Sequence, residues 1–378
     1  MLTSWNYRLY PNRTQQESLD SMLYAYRRLY NAALAERRDA YQERKESLSY
    51  NTQATGILKR LRAEDEGLAT FNYSAAQHIL RRLDKAFAAF FRRIKSGETP
   101  GYPRFKSRNR FNSADFTFGN GATLKNDRLR IQGVGEIKVV WHRTIPAEAR
   151  IKRVMVKRRA GKWYACFVLE IPERTPPKHP GGTVGIDVGL KSLVTLSTGE
   201  SVAPPQHYRN VEVKLRRANR KASRRKKGSR RQRKAYRELA SVHAHVANQR
   251  ADFLHKLSHD LTDRFSVIAV EDLNVKGLAR TKLAKSVHDA GWGILLNMLD
   301  YKAASAGGLV VRVDPRYTSQ DCSGCGARVK KPLSQRTHCC PECGLVLDRD
   351  HNAALNILAR AGTPPSGANV VSQCSCVA

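Results

Sequence analysis

Apolar residues recur every three or four positions in two stretches of the first 100 residues. The first stretch has its apolar stripe at Leu19, Leu23, Tyr26, Tyr30 and Leu34. The second, from about residue 74 to 95, has its stripe at Ile79, Leu80, Leu83, Phe87, Phe90 and Phe91. This period is that of amphipathic helices, and Thr14 with Glu17 has the spacing of a capping box for the first. The apolar faces need partners, so a helical bundle is predicted over residues 11–100.

Alternating apolar and polar positions indicate strands on both sides of this bundle. Residues 5–10 read as a strand ended by Pro11, and short alternating runs fill residues 112–171. The clearest pair, 153–158 and 162–170, turns at Ala160 and Gly161. We therefore expect a β-rich domain made of residues 1–10 and 101–180, with the helices inserted after its first strand. Prolines 176, 177 and 180 mark a linker.

The second half predicts an α/β domain from residues 181–315 and 346–361. Apolar strands end at Asp187 and at Glu271, and a further strand spans residues 309–313. Helical patterns are centred on residues 239–261, 293–306 and 351–361. The tail from residue 362 is rich in Gly, Pro and Ser and is expected to be flexible.

Charge points to a polyanionic partner. The chain has 67 Lys and Arg against 33 Asp and Glu, a formal net charge of +34, and such an excess is typical of nucleic-acid-binding proteins. Residues 209–237 alone hold fifteen Lys or Arg and one acid, Glu212. Candidate contacts there are Arg224, Arg225, Lys226 and Lys227. The sequence has neither a membrane-spanning run nor a signal-peptide pattern, which predicts a cytoplasmic protein.

A second candidate for nucleic-acid contact mixes aromatic and basic residues over residues 101–111. Cations can pair with phosphates while rings stack on bases. An equally good interpretation is a loop whose aromatic side chains anchor it to the body of the domain. The candidate residues are Tyr102, Arg104, Phe105 and Lys106.

Three acids stand where a nuclease site would need them. Asp187 follows a strand between two glycines, Glu271 ends another strand, and Asp350 begins a late helix. Each has a simpler alternative: a turn residue, a solvated strand end and a helix cap, respectively. In this order, however, they have the layout of ribonuclease H-like nucleases, which include RuvC. The chemistry would be phosphodiester hydrolysis with two Mg²⁺ ions. Asp348 is a rival for the place of Asp350.

Four cysteines have the spacing of a structural zinc site. Cys322, Cys325, Cys340 and Cys343 form C-x₂-C-x₁₄-C-x₂-C, which favours one tetrahedral Zn²⁺. Cys339 leaves a register ambiguity, and His338 is a weaker substitute ligand. The predicted finger, residues 316–345, either braces Asp350 or touches nucleic acid.

The sequence motifs around these residues resemble those of the TnpB family. The match is carried by Gly185-Ile-Asp187-Val-Gly189, Val270-Glu271-Asp-Leu-Asn274, Asp289-Ala-Gly-Trp292, Arg316-Tyr-Thr-Ser, both Cys-x-x-Cys-Gly knuckles and Asp348-Arg-Asp350-His-Asn352. TnpB proteins are insertion-sequence-encoded relatives of type V CRISPR effectors. The resemblance implies a RuvC domain with an inserted zinc finger, a β-barrel wedge domain and a helical recognition lobe. It also implies catalytic roles for Asp187, Glu271 and Asp350.

The same resemblance implies the partners and the reaction: a guide RNA from the transposon end, a double-stranded DNA target and cleavage beside a short transposon-adjacent motif. We expect a monomer with its RNA. Gln77, on the polar face of the second helix, is a candidate for reading that motif, because Gln can bond adenine through two hydrogen bonds. The alternatives are an RNA-guided DNA-binding repressor, which should lack catalytic acids, and a transposase proper.

Overall fold

The computed structural model describes residues 2–172, 179–332 and 334–362. The chain divides into two compact units, the first within residues 1–173 and the second within residues 174–378. Most of the predicted linker and all of the tail beyond residue 362, with Cys374 and Cys376, lie outside the described residues. No helix in the described ranges combines the length and the apolar composition that a membrane span requires.

The first unit is built on a closed seven-stranded barrel with the order β1-β5-β4-β3-β2-β6-β7. Alternating side chains along each strand point into the barrel, and the last strand shows this clearly. Its residues Trp163, Ala165, Phe167 and Leu169 are all buried, and the residues between them are not. The predicted turn at Ala160 and Gly161 is confirmed, and both residues have positive φ. The strands are β1 (Leu2–Tyr10), β2 (Ser113–Phe118), β3 (Gly121–Lys125), β4 (Arg128–Ile131), β5 (Gly135–Val140), β6 (Arg150–Arg159) and β7 (Lys162–Glu170).

Five helices lie between β1 and β2. They are α1 (Arg13–Arg44), α2 (Tyr50–Thr55), α3 (Ile57–Glu64), α4 (Glu66–Ala69) and α5 (Tyr73–Lys95). The predicted capping box was wrong. The helix begins two residues earlier than Thr14 implies, because Asn12 is its N-cap. The Asn12 side chain accepts a hydrogen bond from the Gln15 amide at 2.8 Å, and the Gln15 side chain accepts one from the Asn12 amide at 3.0 Å. A 3₁₀ turn at Arg108–Arg110 precedes β2.

The second unit contains a five-stranded sheet with the order β10-β9-β8-β11-β12. Its central strand β8 is antiparallel to β9 and parallel to β11, which is parallel to β12. The strands are β8 (Gly182–Asp187), β9 (Val194–Leu196), β10 (Ser201–Val202), β11 (Phe265–Glu271) and β12 (Leu309–Val313). A separate antiparallel pair consists of β13 (Thr337–Cys339) and β14 (Val346–Asp348).

The described residues of this unit also form six helices: α6 (His207–Ser223), α7 (Arg230–Arg264), α8 (Val275–Leu278), α9 (Ala284–Ala290), α10 (Trp292–Ser305) and α11 (Arg349–Arg360). The basic stretch of residues 209–237 forms most of α6 and the start of α7, which are joined by a turn at residues 224–229. The core packs sheet residues such as Ile186 and Ile268 against Leu254 of α7 and Leu295 of α10.

Candidate active site

Two of the three predicted acids lie side by side at the carboxyl end of the sheet. β8 and β11 are parallel, and the register pairs Ile186 with Val270. Asp187 and Glu271 are the next residue on each strand, so they leave the sheet at the same edge and on the same face. Glu271 is buried and Asp187 is partly buried. Neither acid is the solvated turn or strand end that the simpler interpretations required.

Helix α11 brings the third acid to this edge, and a glycine lets it come close. A Cβ placed on Gly185 would lie 2.1 Å from the Ala354 carbonyl oxygen and 2.8 Å from the Leu358 amide. Only glycine leaves room for the helix backbone at that point on β8. Asp350 is the second residue of α11, which places its carboxylate close enough to Asp187 to act on its pKa.

Asp348, rather than Asp350, caps the helix. Its Oδ1 accepts from the Asp350 amide at 2.8 Å and from the His351 amide at 3.3 Å. Its Oδ2 lies 3.9 Å from Lys191 Nζ. The suggestion that Asp350 is itself the cap is therefore wrong, because its neighbour already satisfies the free amides of the first turn. The Asp350 side chain is only 15% exposed and lies 3.7 Å from Arg336 Nη1.

The three carboxylates share an electrostatic environment. Burial, followed by the negative charges of Glu271 and Asp350, raises the pKa of Asp187 to about 8, against the opposing charge of Arg349. Burial also raises the pKa of Glu271, although the Thr318 hydroxyl and Arg360 act in the opposite direction. A cation placed among the three acids would relieve this repulsion, and carboxylate oxygens suit Mg²⁺. Among the described residues, the four cysteine sulfurs all lie within 4.8 Å of one another, whereas the three acids do not form a group with all of its carboxylate oxygens that close.

Sequence reasoning missed the residues that hold this edge in place. Thr318 is buried and donates a 2.5 Å hydrogen bond to Glu271 Oε1. Asn356 of α11 donates to the carbonyls of Thr318 at 2.8 Å and Asp321 at 2.6 Å. Asn352, fully buried, also donates to the Asp321 carbonyl at 2.8 Å. The family motifs contain Thr318 and both asparagines, but their local sequence gives no sign of these long-range bonds.

The four cysteines meet as predicted. The sulfurs of Cys322, Cys325, Cys340 and Cys343 all lie within 4.8 Å of one another. Cys322–Cys343 and Cys325–Cys340 are 3.6 and 3.5 Å apart, close to the separation of about 3.8 Å that a tetrahedron of Zn–S bonds requires.

The backbone of the second knuckle favours thiolate at one of the four sulfurs, that of Cys340. Although burial opposes ionisation, the amides of Cys343 and Glu342 help to lower the pKa of Cys340 to about 7. Cys339 and His338 lie outside the cluster, which resolves the register in favour of Cys340.

The cysteine segment braces α11. The Asp321 carbonyl, one residue before the first knuckle, accepts from Asn352 and Asn356, and the Ser323 amide donates to Asn352 Oδ1 at 2.9 Å. At the other end, β14 leads directly into the helix at Asp348. The first of the two roles left open for the finger, support of Asp350, is therefore visible in the contacts.

Helices α6 and α7 form a hairpin covered with cations, here called the basic hairpin (residues 207–264). All fifteen Lys and Arg of residues 209–237 are exposed, including the candidates Arg224, Arg225, Lys226 and Lys227 in the turn. Two acids offset part of this charge: Glu238 pairs with Lys221 at 2.6 Å, and Glu212 pairs with Lys285 at 2.7 Å. The surface is suited to a phosphate backbone.

A distant carboxylate ties the basic hairpin to the active-site edge. Helix α6 has no side-chain cap of its own. Asp289 supplies one, with Oδ1 accepting from the Tyr208 amide at 2.9 Å and Oδ2 from the Arg209 amide at 3.3 Å, while Arg250 of α7 pairs with it at 3.1 Å. Three residues later, Trp292 Nε1 donates to the Gly189 carbonyl at 3.3 Å, two residues after Asp187.

The aromatic and basic segment of residues 101–106 is anchored, and it also exposes side chains. Tyr102 packs edge-on against Phe87 and Phe90, and Asn31 bonds both the amide and the carbonyl of Lys106. Arg104 and Phe105 are exposed. Gln77 is half-buried on α5, beside a hydrogen bond of 3.0 Å between His78 and Thr117.

Three family models match parts of this chain. Residues 166–282 match a family model described as "Probable transposase", and residues 292–357 match one described as "Cas12f1-like, TNB domain". Residues 1–46 match a model described as "Helix-turn-helix domain". In this chain those residues instead form a barrel strand and one helix of 32 residues.

Relatives match over nearly the full length. A Streptomyces pristinaespiralis protein, by name an RNA-guided DNA endonuclease, is 38% identical over 94% of this chain and 88% of its own length. InsQ of Escherichia coli, similarly named, is 29% identical over 95% and 92%. The fold is similar to that of Cas12f1 in a solved Cas12f1–sgRNA–target DNA complex, with a TM-score of 0.54, 15% identity, and coverage of 91% of this chain and 82% of that one. This chain therefore belongs to the TnpB family of insertion-sequence-encoded proteins, relatives of the type V effectors.

Proposed function

We propose that this protein is an RNA-guided DNA endonuclease whose RuvC-type site consists of Asp187, Glu271 and Asp350. The observation that carries the proposal is the convergence of three carboxylates, from two parallel strands and a late helix, on one edge of the sheet. It is supported by relatives named as RNA-guided DNA endonucleases. When bound, two Mg²⁺ ions supply activation of the attacking water and stabilisation of the leaving oxygen.

The protein's own residues would position that chemistry. Asp187 and Glu271 offer oxygens from adjacent strand ends, and the Thr318 hydroxyl fixes one oxygen of Glu271 so that the other is free to bind a metal. Asp348 keeps α11 capped, which leaves the Asp350 carboxylate available. Because the pKa of Asp187 is about 8, a bound cation or a rise in pH is needed to hold it ionised.

One structural Zn²⁺ would be held by Cys322, Cys325, Cys340 and Cys343. Four thiolates at this spacing form a closed site with no open coordination position, so the ion would stabilise the fold rather than take part in the reaction. Its role would be to keep the Asn352 and Asn356 contacts, and through them α11, in register.

The nucleic acids would be held mainly through their backbones. We assign guide RNA or heteroduplex contacts to Arg224, Arg225, Lys226 and Lys227 of the basic hairpin. Tyr102, Arg104, Phe105 and Lys106 would add contacts from the first unit, and Gln77 would read the transposon-adjacent motif. Base pairing with the RNA would then supply the specificity for the rest of the target.

Purification of the protein with RNA transcribed from its own locus allows a direct test. The complex is supplied with Mg²⁺ and a matched double-stranded target, and cleavage is compared with that of Asp187→Ala, Glu271→Gln and Asp350→Asn. We expect each variant to bind the target but lose cleavage by at least a hundredfold. Asp348→Asn is the matched control: it removes a neighbouring charge, retains a good cap residue and should cleave within a fewfold of the unchanged protein. Tight target binding without cleavage by the unchanged complex would identify a DNA-binding repressor instead.

A further inference from the structure

The apolar stripe of α5 continues beyond the core that its first half packs against. The buried residues of the helix end at Leu83. Further apolar side chains follow at helical spacing, but Phe91 and Ile94 are 58% and 51% exposed, and Tyr102 beside them is 47% exposed. We refer to these three together with Phe87 and Phe90 as the aromatic patch.

The four rings of the aromatic patch form one contiguous cluster, in which Phe91 and Tyr102 are exposed, Phe90 is half-buried, and Phe87 is half-buried against the core. The Phe87 and Phe91 rings are stacked with their centroids 6.4 Å apart, and the centroid distance from Phe90 to Phe91 is 5.2 Å. Tyr102 stands edge-on to Phe87 at 5.6 Å and to Phe90 at 5.4 Å. Exposed apolar surface that is contiguous, rather than scattered, generally marks a binding site.

The charge around the aromatic patch selects the class of partner. Residues 85–110 contain eight Lys or Arg and one acid, Glu98. Seven of these cations are exposed and form no ion pair with the described carboxylates: Lys85, Arg92, Arg93, Lys95, Arg104, Arg108 and Arg110. A second copy of the chain placed face to face on the patch would set eight cations against eight others. Rings framed by cations instead suit a strand with exposed bases and phosphates, because the bases stack while the phosphates pair.

We propose that the aromatic patch is a stacking platform for unpaired bases of the guide RNA. Duplex interiors cover their base faces, so the bases must be unpaired or lie at a helix end. An apolar surface of this extent also requires lasting cover, and the RNA would stay bound throughout, whereas target DNA would come and go. The inference rests on the proposed RNA partner but is independent of DNA cleavage.

The experiment measures binding of the full chain to a 15-nucleotide single-stranded adenine RNA, in EDTA and about 0.5 M salt so that phosphate contacts are weakened. We expect Phe91→Ala and Phe91→Leu each to lower the affinity about fivefold or more. Fivefold corresponds to roughly the lower end of the free energy that one base–aromatic contact contributes. Phe91→Trp should retain it. Leu309→Ala, with the same 58% exposure in the other unit, is the control and should change nothing. Leucine preserves the apolar character of the side chain but has no ring. A lower affinity for Phe91→Leu would therefore distinguish stacking from simple hydrophobic contact.

A second measurement locates the contact. The same RNA carrying 5-bromouridine, irradiated in complex with the unchanged protein, should cross-link to peptides containing Phe90, Phe91 or Tyr102. The proposal is overturned if Phe91→Ala binds as tightly as the unchanged protein and cross-links map elsewhere. It is also overturned if Phe91→Ala lowers the affinity for a DNA strand of the same sequence but not the affinity for the RNA. A third contrary result is that Phe91→Ala abolishes concentration-dependent dimerisation of the RNA-free protein. Because no cleavage is measured, these outcomes do not bear on the nuclease site.

Discussion

The burial of Asp187, together with the negative charges of Glu271 and Asp350, should make the folded protein less stable at neutral pH than it would be with a neutral residue there. The folded-state pKa is raised from 3.8 to about 8. A raised pKa in an acid means that the folded state prefers the protonated form, so stability falls as pH increases from about 4 towards 8. Each pH unit in that window costs about 1.4 kcal/mol, which gives about 4 kcal/mol at pH 7. Because Asp187 retains some contact with solvent, we expect about 2–4 kcal/mol.

Asp187→Asn removes the charge and keeps the shape, so it should stabilise the second unit while abolishing cleavage. The measurement is hydrogen-exchange mass spectrometry in EDTA on peptides spanning β8 and β11, since a chain with two units does not give one free energy of unfolding. At pH 7 the variant should exchange about 30- to 900-fold more slowly at these strands. The ratio should increase severalfold for each pH unit between pH 5.5 and 7.5. Mg²⁺ should reduce this difference in exchange rate between the variant and the unchanged protein, because it should stabilise only the unchanged protein.

Asp252→Asn is the control, because Asp252 is exposed in an i,i+4 pair with Lys256. It should leave exchange at β8 and β11 within about twofold of the unchanged protein at every pH. A ratio for Asp187→Asn that is close to one, or that does not change with pH, would refute the argument that burial and the neighbouring carboxylates disfavour the charged form of Asp187 in the folded protein.

Three further predictions concern the supports of the site. Gly185→Ala should destabilise the second unit by about 1–3 kcal/mol and reduce cleavage at least tenfold, because the added methyl group pushes α11 off the sheet. Gly182→Ala, with open space at its Cβ, should do neither. Hydrogen exchange at β8 and cleavage rates measure the two effects. Cys343→Ser should lower zinc to well below one per chain by elemental analysis and accelerate exchange in α11, whereas Cys339→Ser should retain the metal. Asp289→Asn should accelerate exchange at the first turn of α6 about fivefold or more and weaken RNA binding; unchanged exchange there would mean that Asp289 is not its cap.

The sequence was sufficient for features that local chemistry encodes. An apolar strand followed by an acid placed Asp187 and Glu271 at strand ends, and neighbouring parallel strands in matching register bring such ends together. The C-x₂-C spacing identified the four ligands because each knuckle closes on itself before the two meet. The hairpin at Ala160 and Gly161 was similarly local.

Features that depend on distant partners could not be predicted. Asn12 with Gln15 and Thr14 with Glu17 both have a capping-box spacing, and only the packing of the helix decides between them. Helix α6 buries little more than Leu215 and Ala222, so its apolar period is too weak to detect. Its cap, Asp289, comes from about 80 residues away. That Asp348, and not Asp350, caps α11 likewise became visible only in the hydrogen bonds of the first turn.

The insertion of five helices between β1 and β2 has a consequence for the timing of folding. Leu2 of β1 pairs with Glu170 of β7, and β1 also pairs with β5. On a ribosome that adds about 5–20 residues per second, β1 must wait roughly ten to thirty seconds for its last partner to emerge. The helices, whose contacts are more local, can fold during that interval. A β1 segment left waiting at the N-terminus is a natural binding site for chaperones, and slow translation upstream of residue 170 would lengthen its exposure.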